Sequence, residues 1–369
     1  MKDIKNKINA LFSSVKDPRI EGRCLHSLID ILFIAFCTLL ANGEDYEDMV
    51  EFGTQRIDWL KTVLELPNGI PSHDTFNRVF QLIEPSELSK LLGADGRELL
   101  GCIAEKQLIL DGKKLRGESP KSKGNKGLYI LNAWIGENNL CIGQQRVGAK
   151  SNEIIAIPEL LDDLEITGSV VTIDAIGCQK KIAEKIRSKS ADYLLSVKKN
   201  QKYLYEMIGE AFEDNKTISS DEKWDYGHGR YEERNCEILE ASKVWTKDFC
   251  EEWKDMETLV KVKSKRQVGG KFSEENRYYI SSEEVKTAAY YNKLARGHWS
   301  IENQLHWHLD VTFREDACRA RRGNAAENLS AIRKMALHRL SYVKDKLSLK
   351  KRRFRAALNN DYLLKLLNI

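Results

Sequence analysis

Apolar residues in the first hundred positions recur at helical intervals. Residues 25–40 form a long apolar run that predicts a buried helix, and residues 46–66 carry apolar side chains every three or four positions until Pro67 ends the pattern. Ser72 is a suitable N-cap for another helix, whose apolar stripe consists of Phe76, Val79, Phe80 and Ile83. This part of the chain is expected to be a helical bundle.

The hydrophobic period changes at Gln107, where short apolar runs rich in β-forming residues begin. Three such runs predict strands at 107–111, 128–135 and 140–147. Further on, strands at 169–174 and 192–197 alternate with helices at 153–164, at 179–189 and from 201 onward. Three strands followed by alternating elements are typical of an α/β fold with a mixed five-stranded sheet and flanking helices.

These patterns divide the chain into four parts. Residues 1–102 are expected to be a helical N-terminal domain, and 103–215 with 283–318 an α/β domain. Residues 216–282 have an irregular, strand-like pattern that predicts a β-rich insertion, and residues 319–369 are expected to form a basic helical C-terminal region.

Composition and charge indicate the class of protein and the kind of partner it binds. With 42% hydrophobic and 31% charged residues, the chain has the composition of an ordered globular protein. Its positive charge is concentrated in the segment from Arg319 to Arg355. This segment has a net charge of +11, whereas the remainder of the chain has a net charge of −7. Such clustering indicates either a polyanionic partner or a solvated basic helix face. If DNA is the partner, the phosphate contacts are expected from Arg321, Arg322, Arg352 and Arg353.

No targeting signal is expected. The apolar run at 25–40 contains His26 and Asp30 and is shorter than a membrane span, and the N-terminus carries no secretory pattern. The eight cysteines are scattered without a Cys-x-x-Cys pair, so no zinc ribbon or disulfide framework is predicted. We expect a cytoplasmic protein with no membrane contact.

Two aspartates end predicted strands. Asp111 closes the run QLILD and Asp174 closes SVVTID, and the carboxyl ends of parallel strands are where open sheets place ligands. An aspartate in this position is also a common turn former. Close carboxylates need a cation, and Mg²⁺ or Mn²⁺ suits an all-oxygen site; two such ions activate a nucleophile and stabilise the leaving oxygen in phosphoryl transfer.

A third acid is predicted in the segment 296–310. On a helix, His298, Glu302 and His306 lie four residues apart on one face, with Glu302 between two imidazoles. The alternative is a solvated polar face. A zinc site built from His298, His306 and His308 is a weaker alternative, because residues two apart point in different directions on a helix.

Short motifs along nearly the whole chain resemble those of the H-repeat-associated (As1-type) insertion-sequence transposases, within the RNase H-like DDE group. The motifs are Asp17-Pro18-Arg19, Gly69 to Phe76, Leu110-Asp111-Gly112-Lys113, Lys150 to Ile154, Thr172 to Gln179, Ala191 to Leu195, Lys199-Asn200-Gln201, Gly227 to Arg230 and Arg296 to Asp310. The resemblance implies an RNase H-like catalytic domain with Asp111, Asp174 and Glu302 as its catalytic, metal-binding acids.

The same resemblance implies a reaction and its partners. The expected activity is metal-dependent cleavage of double-stranded DNA at the terminal inverted repeats of an element, followed by strand transfer to target DNA. A homodimer on the paired DNA ends is expected, in the bacterial cytoplasm and associated with the nucleoid. Recognition of the DNA ends is expected within residues 1–102.

One departure from the resemblance concerns DNA contacts near the third acid. Relatives with a comparable insertion carry a Tyr-Arg-Glu-Lys signature there, whereas this chain has His298 four residues before Glu302 and Leu309 seven after it. The substitutes considered are Lys293, Arg296, His298 and His306. Two other functions remain open: a structure-specific nuclease on the same fold, and a domesticated DNA-binding protein without catalysis.

Overall fold

A computed structural model describes residues 2–118, 127–148, 153–227 and 229–367. Residues 149–152 lie outside this range, so within the Lys150 to Ile154 motif only Glu153 and Ile154 are described; His228 of the Gly227 to Arg230 motif also lies outside it. No helix in the described part of the chain is long and apolar enough to cross a membrane.

Helices dominate both ends of the chain and strands dominate its centre. The helices are α1 (Lys2–Phe12), α2 (Leu28–Leu40), α3 (Tyr46–Gln55), α4 (Ile57–Val63), α5 (His73–Leu82), α6 (Pro85–Leu100), α7 (Glu153–Asp162), α8 (Lys180–Ser188), α9 (Lys202–Asp214), α10 (Ala241–Val244), α11 (Lys247–Glu251), α12 (Ala288–His298), α13 (Ala325–Tyr342), α14 (Leu349–Leu358) and α15 (Asn360–Leu367). The strands are β1 (Gln107–Leu115), β2 (Leu128–Ile135), β3 (Leu140–Val147), β4 (Val170–Ile173), β5 (Asp192–Val197), β6 (Ser219–Gly227), β7 (Arg230–Glu240), β8 (Thr258–Val268) and β9 (Lys271–Ser281).

The predicted α/β fold is confirmed. Strands β3, β2, β1, β4 and β5 are neighbours in that order, with β2 antiparallel to its two neighbours and β1, β4 and β5 mutually parallel. This is the five-stranded arrangement expected of an RNase H-like domain. The parallel connections need crossovers, which α7 and α8 supply.

The β-rich insertion continues this sheet. Strand β9 pairs antiparallel with β5, and β8, β7 and β6 follow in an antiparallel meander, which gives one nine-stranded sheet. The pairing of Leu194 with Ser281 begins the contact, and Val197 with Tyr278 ends it. The backbone groups along one edge of β5 are thereby satisfied by the insertion.

Strand β1 is buried on both faces. Leu108 and Leu110 belong to a core that includes residues of α7, α8 and α9, whereas Ile109 belongs to a second core built largely from N-terminal and C-terminal helices. Helices α2 and α13 contribute most of their lengths to this second core. The helices of the two chain ends therefore pack together against one face of the sheet.

Two predicted helix boundaries differ from the structure. The helix predicted at 46–66 is two helices that meet at Arg56, whose guanidinium group donates to the carbonyl of Ala356 at 3.3 Å. A contact with α14 cannot be inferred from local periodicity. In the segment predicted to begin at residue 283, the first helix, α12, begins only at Ala288, where Thr287 caps it by accepting a hydrogen bond from the amide of Tyr290.

Candidate active site

The register of two parallel strands brings Asp111 and Asp174 side by side where the pairing of β1 with β4 ends. Strand β4 stops there, whereas β1, which was expected to end at Asp111, continues to Leu115 through its pairing with β2. Leu110 of β1 pairs with Ile173 of β4, and each aspartate is the next residue of its chain. Apolar side chains bury both strands up to this point, so the carboxylates are presented where the hydrophobic runs end. Asp174 also caps the helical turn that follows, by accepting a hydrogen bond from the amide of Ile176 at 3.0 Å.

Glu302 shares a cavity with the two aspartates. The cavity has a volume of about 100 Å³, and its charged and imidazole-bearing lining residues are Asp111, Asp174, Lys198, Arg277, His298 and Glu302. After α12 ends at His298, the chain continues with π-helical turns at Ile301–His306. Ile301 and Leu305 lie in the core beneath, so they anchor this segment while Glu302 remains exposed.

The neighbouring acids disfavour one another's ionised form. Burial, followed by the nearby charges of Asp174, Glu153 and Glu302, raises the pKa of Asp111 from 3.8 to about 8. Glu153, at the start of α7, was not expected at this site. Burial and the charge of Asp174 raise the pKa of Glu153 too. Its motif, Lys150 to Ile154, was the only signal in the sequence.

Both predicted histidines lie beside the aspartates. His298 Nδ1 is 3.2 Å from the hydroxyl of Thr172, and His306 Nδ1 is 3.6 Å from Oδ2 of Asp111. Burial lowers the pKa of His298 to about 4 and that of His306 to about 3, so both rings are neutral at neutral pH. The contact between His306 and Asp111 is therefore not an ion pair. The His306 side chain is partly exposed beside Asp111.

The third histidine of the zinc alternative has a different partner. His308 Nδ1 lies 3.0 Å from the hydroxyl of Thr312, within its own helical segment. Over the described ranges, no three His, Cys, Asp or Glu side chains are grouped closely enough to hold a metal ion. This holds for the three acids as well as for the three histidines; His308 differs from the acids in that it does not line the cavity that they share.

Lys293 and Arg296 lie outside the acid cavity. Lys293 Nζ is 3.3 Å from a carboxylate oxygen of Glu137. Arg296 lines a separate narrow crevice together with Glu232 and Arg234. The cations that do line the acid cavity are Lys198 and Arg277, neither of which was predicted from the sequence. The only local signal was that Lys198 directly follows a predicted strand.

The four arginines of the basic region fall into two pairs. Arg321 and Arg322 are exposed and line a groove of about 640 Å³. Arg352 and Arg353 are buried: Arg352 donates to Asp345 at 2.8 Å, and Arg353 donates to the carbonyls of Leu39 at 2.9 Å and Gly43 at 2.8 Å. The guanidinium groups of Arg352 and Arg353 donate hydrogen bonds within the fold. They are therefore not presented at the surface, where a DNA phosphate would bind.

Comparison with known proteins decides the family. Residues 104–338 match a family model described as a transposase DDE domain, and residues 10–94 match one described as DDE_Tnp_1-associated. The chain belongs to the DDE transposase family. The DDE domain match spans both catalytic segments, the insertion and most of α13.

Relatives of this transposase cover almost its whole length. It is 40% identical to a putative transposase YncI of Escherichia coli O157:H7, over 95% of this chain and 92% of the relative. It is 37% identical to the H repeat-associated putative transposase YhhI of Escherichia coli K12, over 98% and 97% of the two chains. The resemblance to the H-repeat-associated group is therefore confirmed.

Transposase DDE domains generally use divalent metal ions, and the acids of this transposase fit such an ion in chemistry and charge. All the carboxylates that raise the pKa of Asp111 offer hard oxygen ligands. The buried repulsion at Asp111 is the kind that a bound cation relieves. Asp111, Asp174 and Glu302 line one cavity, although in the described structure they are not grouped closely enough to hold an ion; like charges repel one another.

Proposed function

We propose that the chain is the transposase of a bacterial insertion sequence. It cleaves a phosphodiester at each element end, and the released 3′-hydroxyl then attacks a phosphodiester of target DNA. The observation that carries this proposal is the one cavity lined by Asp111, Asp174 and Glu302, at the point where the parallel pairing of β1 with β4 ends.

Asp111, Asp174 and Glu302 are the residues that would hold Mg²⁺ or Mn²⁺. Such ions lower the barrier by activating a hydroxyl nucleophile and stabilising the leaving oxygen. The chain itself orients the acids: the strand register fixes Asp111, the hydrogen bond from the Ile176 amide fixes Asp174, and the core contacts of Ile301 and Leu305 fix the segment that carries Glu302.

Double-stranded DNA is the proposed partner. The groove of about 640 Å³ is lined by four exposed arginines, Arg314, Arg319, Arg321 and Arg322, together with His73 and Asn77 of α5. Three acids, Glu44, Asp45 and Glu47, line it as well, and Glu44 lies 3.4 Å from Arg314. Clustered guanidinium groups bind phosphates and release counterions, so this groove is assigned to the DNA backbone. We assign recognition of the terminal inverted repeats to residues 1–102 and synapsis of the two ends to a homodimer. The expected place of action is the bacterial cytoplasm, on the nucleoid.

The test is strand cleavage and strand transfer by purified protein on duplexes carrying the element's own ends, with Mg²⁺. The wild type should cut at the ends and join them to target DNA. Asp174→Asn should abolish both reactions and retain DNA binding, whereas Asp163→Asn, which alters an exposed acid elsewhere, should retain activity. Cleavage without transfer would favour the nuclease, and binding without cleavage by the wild type would favour a domesticated DNA-binding protein.

A further inference from the structure

The acid cavity has a cationic wall where the insertion joins the catalytic sheet. Strands β5 and β9 pair antiparallel, with Val197 opposite Tyr278 as the last pair. One further step of that register places Lys198 opposite Arg277. Both residues line the cavity with the three acids. The wall is therefore built from two segments that are distant in sequence.

Arg277 is held in place by two neighbours. Its guanidinium group lies 5.0 Å from the ring centroid of Trp299 and donates to a carboxylate oxygen of Glu275 at 2.8 Å. An arginine has five N–H donors, so this bond leaves donors for another acceptor. Lys198 is exposed, and its ammonium group forms no ion pair with a described residue.

The cationic wall also opens outward. A second cavity, of about 370 Å³, shares Ser196, Lys198 and Arg277 with the acid cavity and adds Lys199. The two cavities together give a passage from the acids along the seam between β5 and β9. The outer cavity is lined by three cations, Lys198, Lys199 and Arg277, and one acid, Glu275, and this excess of positive charge suits a polyanion.

We propose that Lys198 and Arg277 bind the DNA phosphate that is cleaved, and hold it beside Asp111, Asp174 and Glu302. A phosphodiester carries a negative charge, so three carboxylates alone would repel it. Arginine binds phosphate through a planar pair of N–H groups and lysine acts as a point charge, so the pair combines orientation with attraction. The insertion thus contributes half of a substrate-binding site. This inference rests on the proposed transposase function.

The experiment is a double-mutant cycle between protein and DNA. Affinity for an element-end duplex is measured with Ca²⁺ in place of Mg²⁺, once with the natural phosphate at the cleaved bond and once with a neutral methylphosphonate there. For the wild type, the neutral group should weaken binding about tenfold. Lys198→Gln and Arg277→Gln should already bind the natural duplex less tightly than the wild type does. In these variants the neutral methylphosphonate should cause little further loss of affinity.

Two controls separate this contact from general charge effects. Lys263→Gln removes an exposed cation of the insertion that pairs with Glu274, and it should leave the full penalty of the methylphosphonate unchanged. Moving the methylphosphonate several nucleotides away should abolish its coupling to Lys198 and Arg277. Because Arg277 packs on Trp299, Arg277→Lys and the exposed Lys198→Gln keep the test valid if Arg277→Gln is poorly folded.

The outcomes distinguish this inference from the proposed function. If both variants lose affinity equally for natural and neutral DNA, Lys198 and Arg277 do not bind this phosphate, even when the wild type cuts DNA normally with Mg²⁺. If the coupling is present and the wild type fails to cut DNA with Mg²⁺, the phosphate site stands and the proposed function is wrong.

Discussion

Asp111 and Asp174 each lie one residue beyond a paired position of two parallel strands, since Leu110 is opposite Ile173. The two carboxylates are thus neighbours by backbone register, and no rearrangement of loops is needed to bring them together. Burial and the surrounding acids raise the pKa of Asp111 to about 8. Without a cation, this arrangement stores unfavourable charge.

Asp111→Asn should therefore stabilise the metal-free protein while abolishing cleavage. The amide keeps the size of the side chain and removes the charge that burial and Asp174 penalise. We expect a gain of roughly 1–2 kcal/mol in the free energy of unfolding. Thermal melting in EDTA measures it, with Asp163→Asn as the exposed control. A lower melting temperature for Asp111→Asn would mean that the carboxylate stabilises the fold.

The catalytic sheet could be predicted because its strands carry unambiguous signals. The apolar runs before Asp111 and Asp174 are short and end sharply. Strand β4 ends with its run, whereas β1 continues to Leu115 because its pairing with β2 extends beyond the apolar residues. The union of β5 with β9 could not be predicted, because strand pairing between segments about 80 residues apart leaves no local pattern. Lys198 and Arg277 were missed for the same reason.

The charge of a side chain predicted its exposure less well than hydrophobicity predicted burial. Arg321 and Arg353 have the same side chain in the same basic region, yet only Arg321 is exposed. Arg353 is buried because the carbonyls at the end of α2 accept its hydrogen bonds. Such a partner, more than 300 residues away in the chain, is visible only in the folded structure.

These two environments predict opposite phenotypes. Arg353→Met should lower the free energy of unfolding by roughly 3 kcal/mol, because it leaves buried carbonyls without donors. Arg321→Gln combined with Arg322→Gln should leave stability unchanged and reduce the slope of log affinity against log salt concentration by about 1–2. Chemical denaturation and fluorescence anisotropy on DNA of unrelated sequence measure the two quantities. An unchanged salt slope would show that Arg321 and Arg322 belong to a solvated surface and do not contact DNA phosphates.

The contact between Gly112 and Glu153 can be tested by adding a methyl group. A Cβ at Gly112 would lie 2.9 Å from Cδ of Glu153 and overlap its Oε1. Gly112→Ala should therefore push the Glu153 carboxylate aside and lower the free energy of unfolding by up to about 1 kcal/mol, because the end of this flexible side chain can move. In a Glu153→Ala background the same change should cost much less. Gly227→Ala, where the methyl group would meet no atom within 4 Å, is the matched control. If Gly112→Ala lowered the free energy of unfolding equally in both backgrounds, the Glu153 side chain would not be in contact with Gly112.

A buried ion-pair cluster links β1 to α13 and predicts a pH dependence of stability. Glu315 is buried and lies 3.3 Å from Lys113 and 3.9 Å from Arg333. Burial alone would raise the pKa of Glu315, but the charges of Lys113, Arg333 and Lys334 outweigh it and lower the pKa below the usual 4.5. The stability that its charge supplies is therefore present above about pH 4.5 and lost as the pH falls through the lowered value.

Glu315→Gln should lower the free energy of unfolding by roughly 3–5 kcal/mol at pH 7, because it leaves buried cations without their counter-charge. The difference from the wild type should shrink as the pH falls below 4.5. Denaturation at several pH values measures it, with the exposed Glu284→Gln as a control that should change little. A difference that is constant with pH would show that size, and not charge, accounts for the loss.

Metal preference separates the three-acid site from an imidazole site. Carboxylates favour Mg²⁺ or Mn²⁺, so cleavage should require one of these ions, while Ca²⁺ should support DNA binding with little cleavage because it tolerates longer and more irregular coordination. Asp174→Asn should be inactive with either ion. His308→Ala should remain active, since the His308 ring contacts Thr312 within its own helical segment and does not line the acid cavity. Cleavage with Zn²⁺ alone, or an active Asp174→Asn beside an inactive His308→Ala, would show that the three acids do not form the metal site.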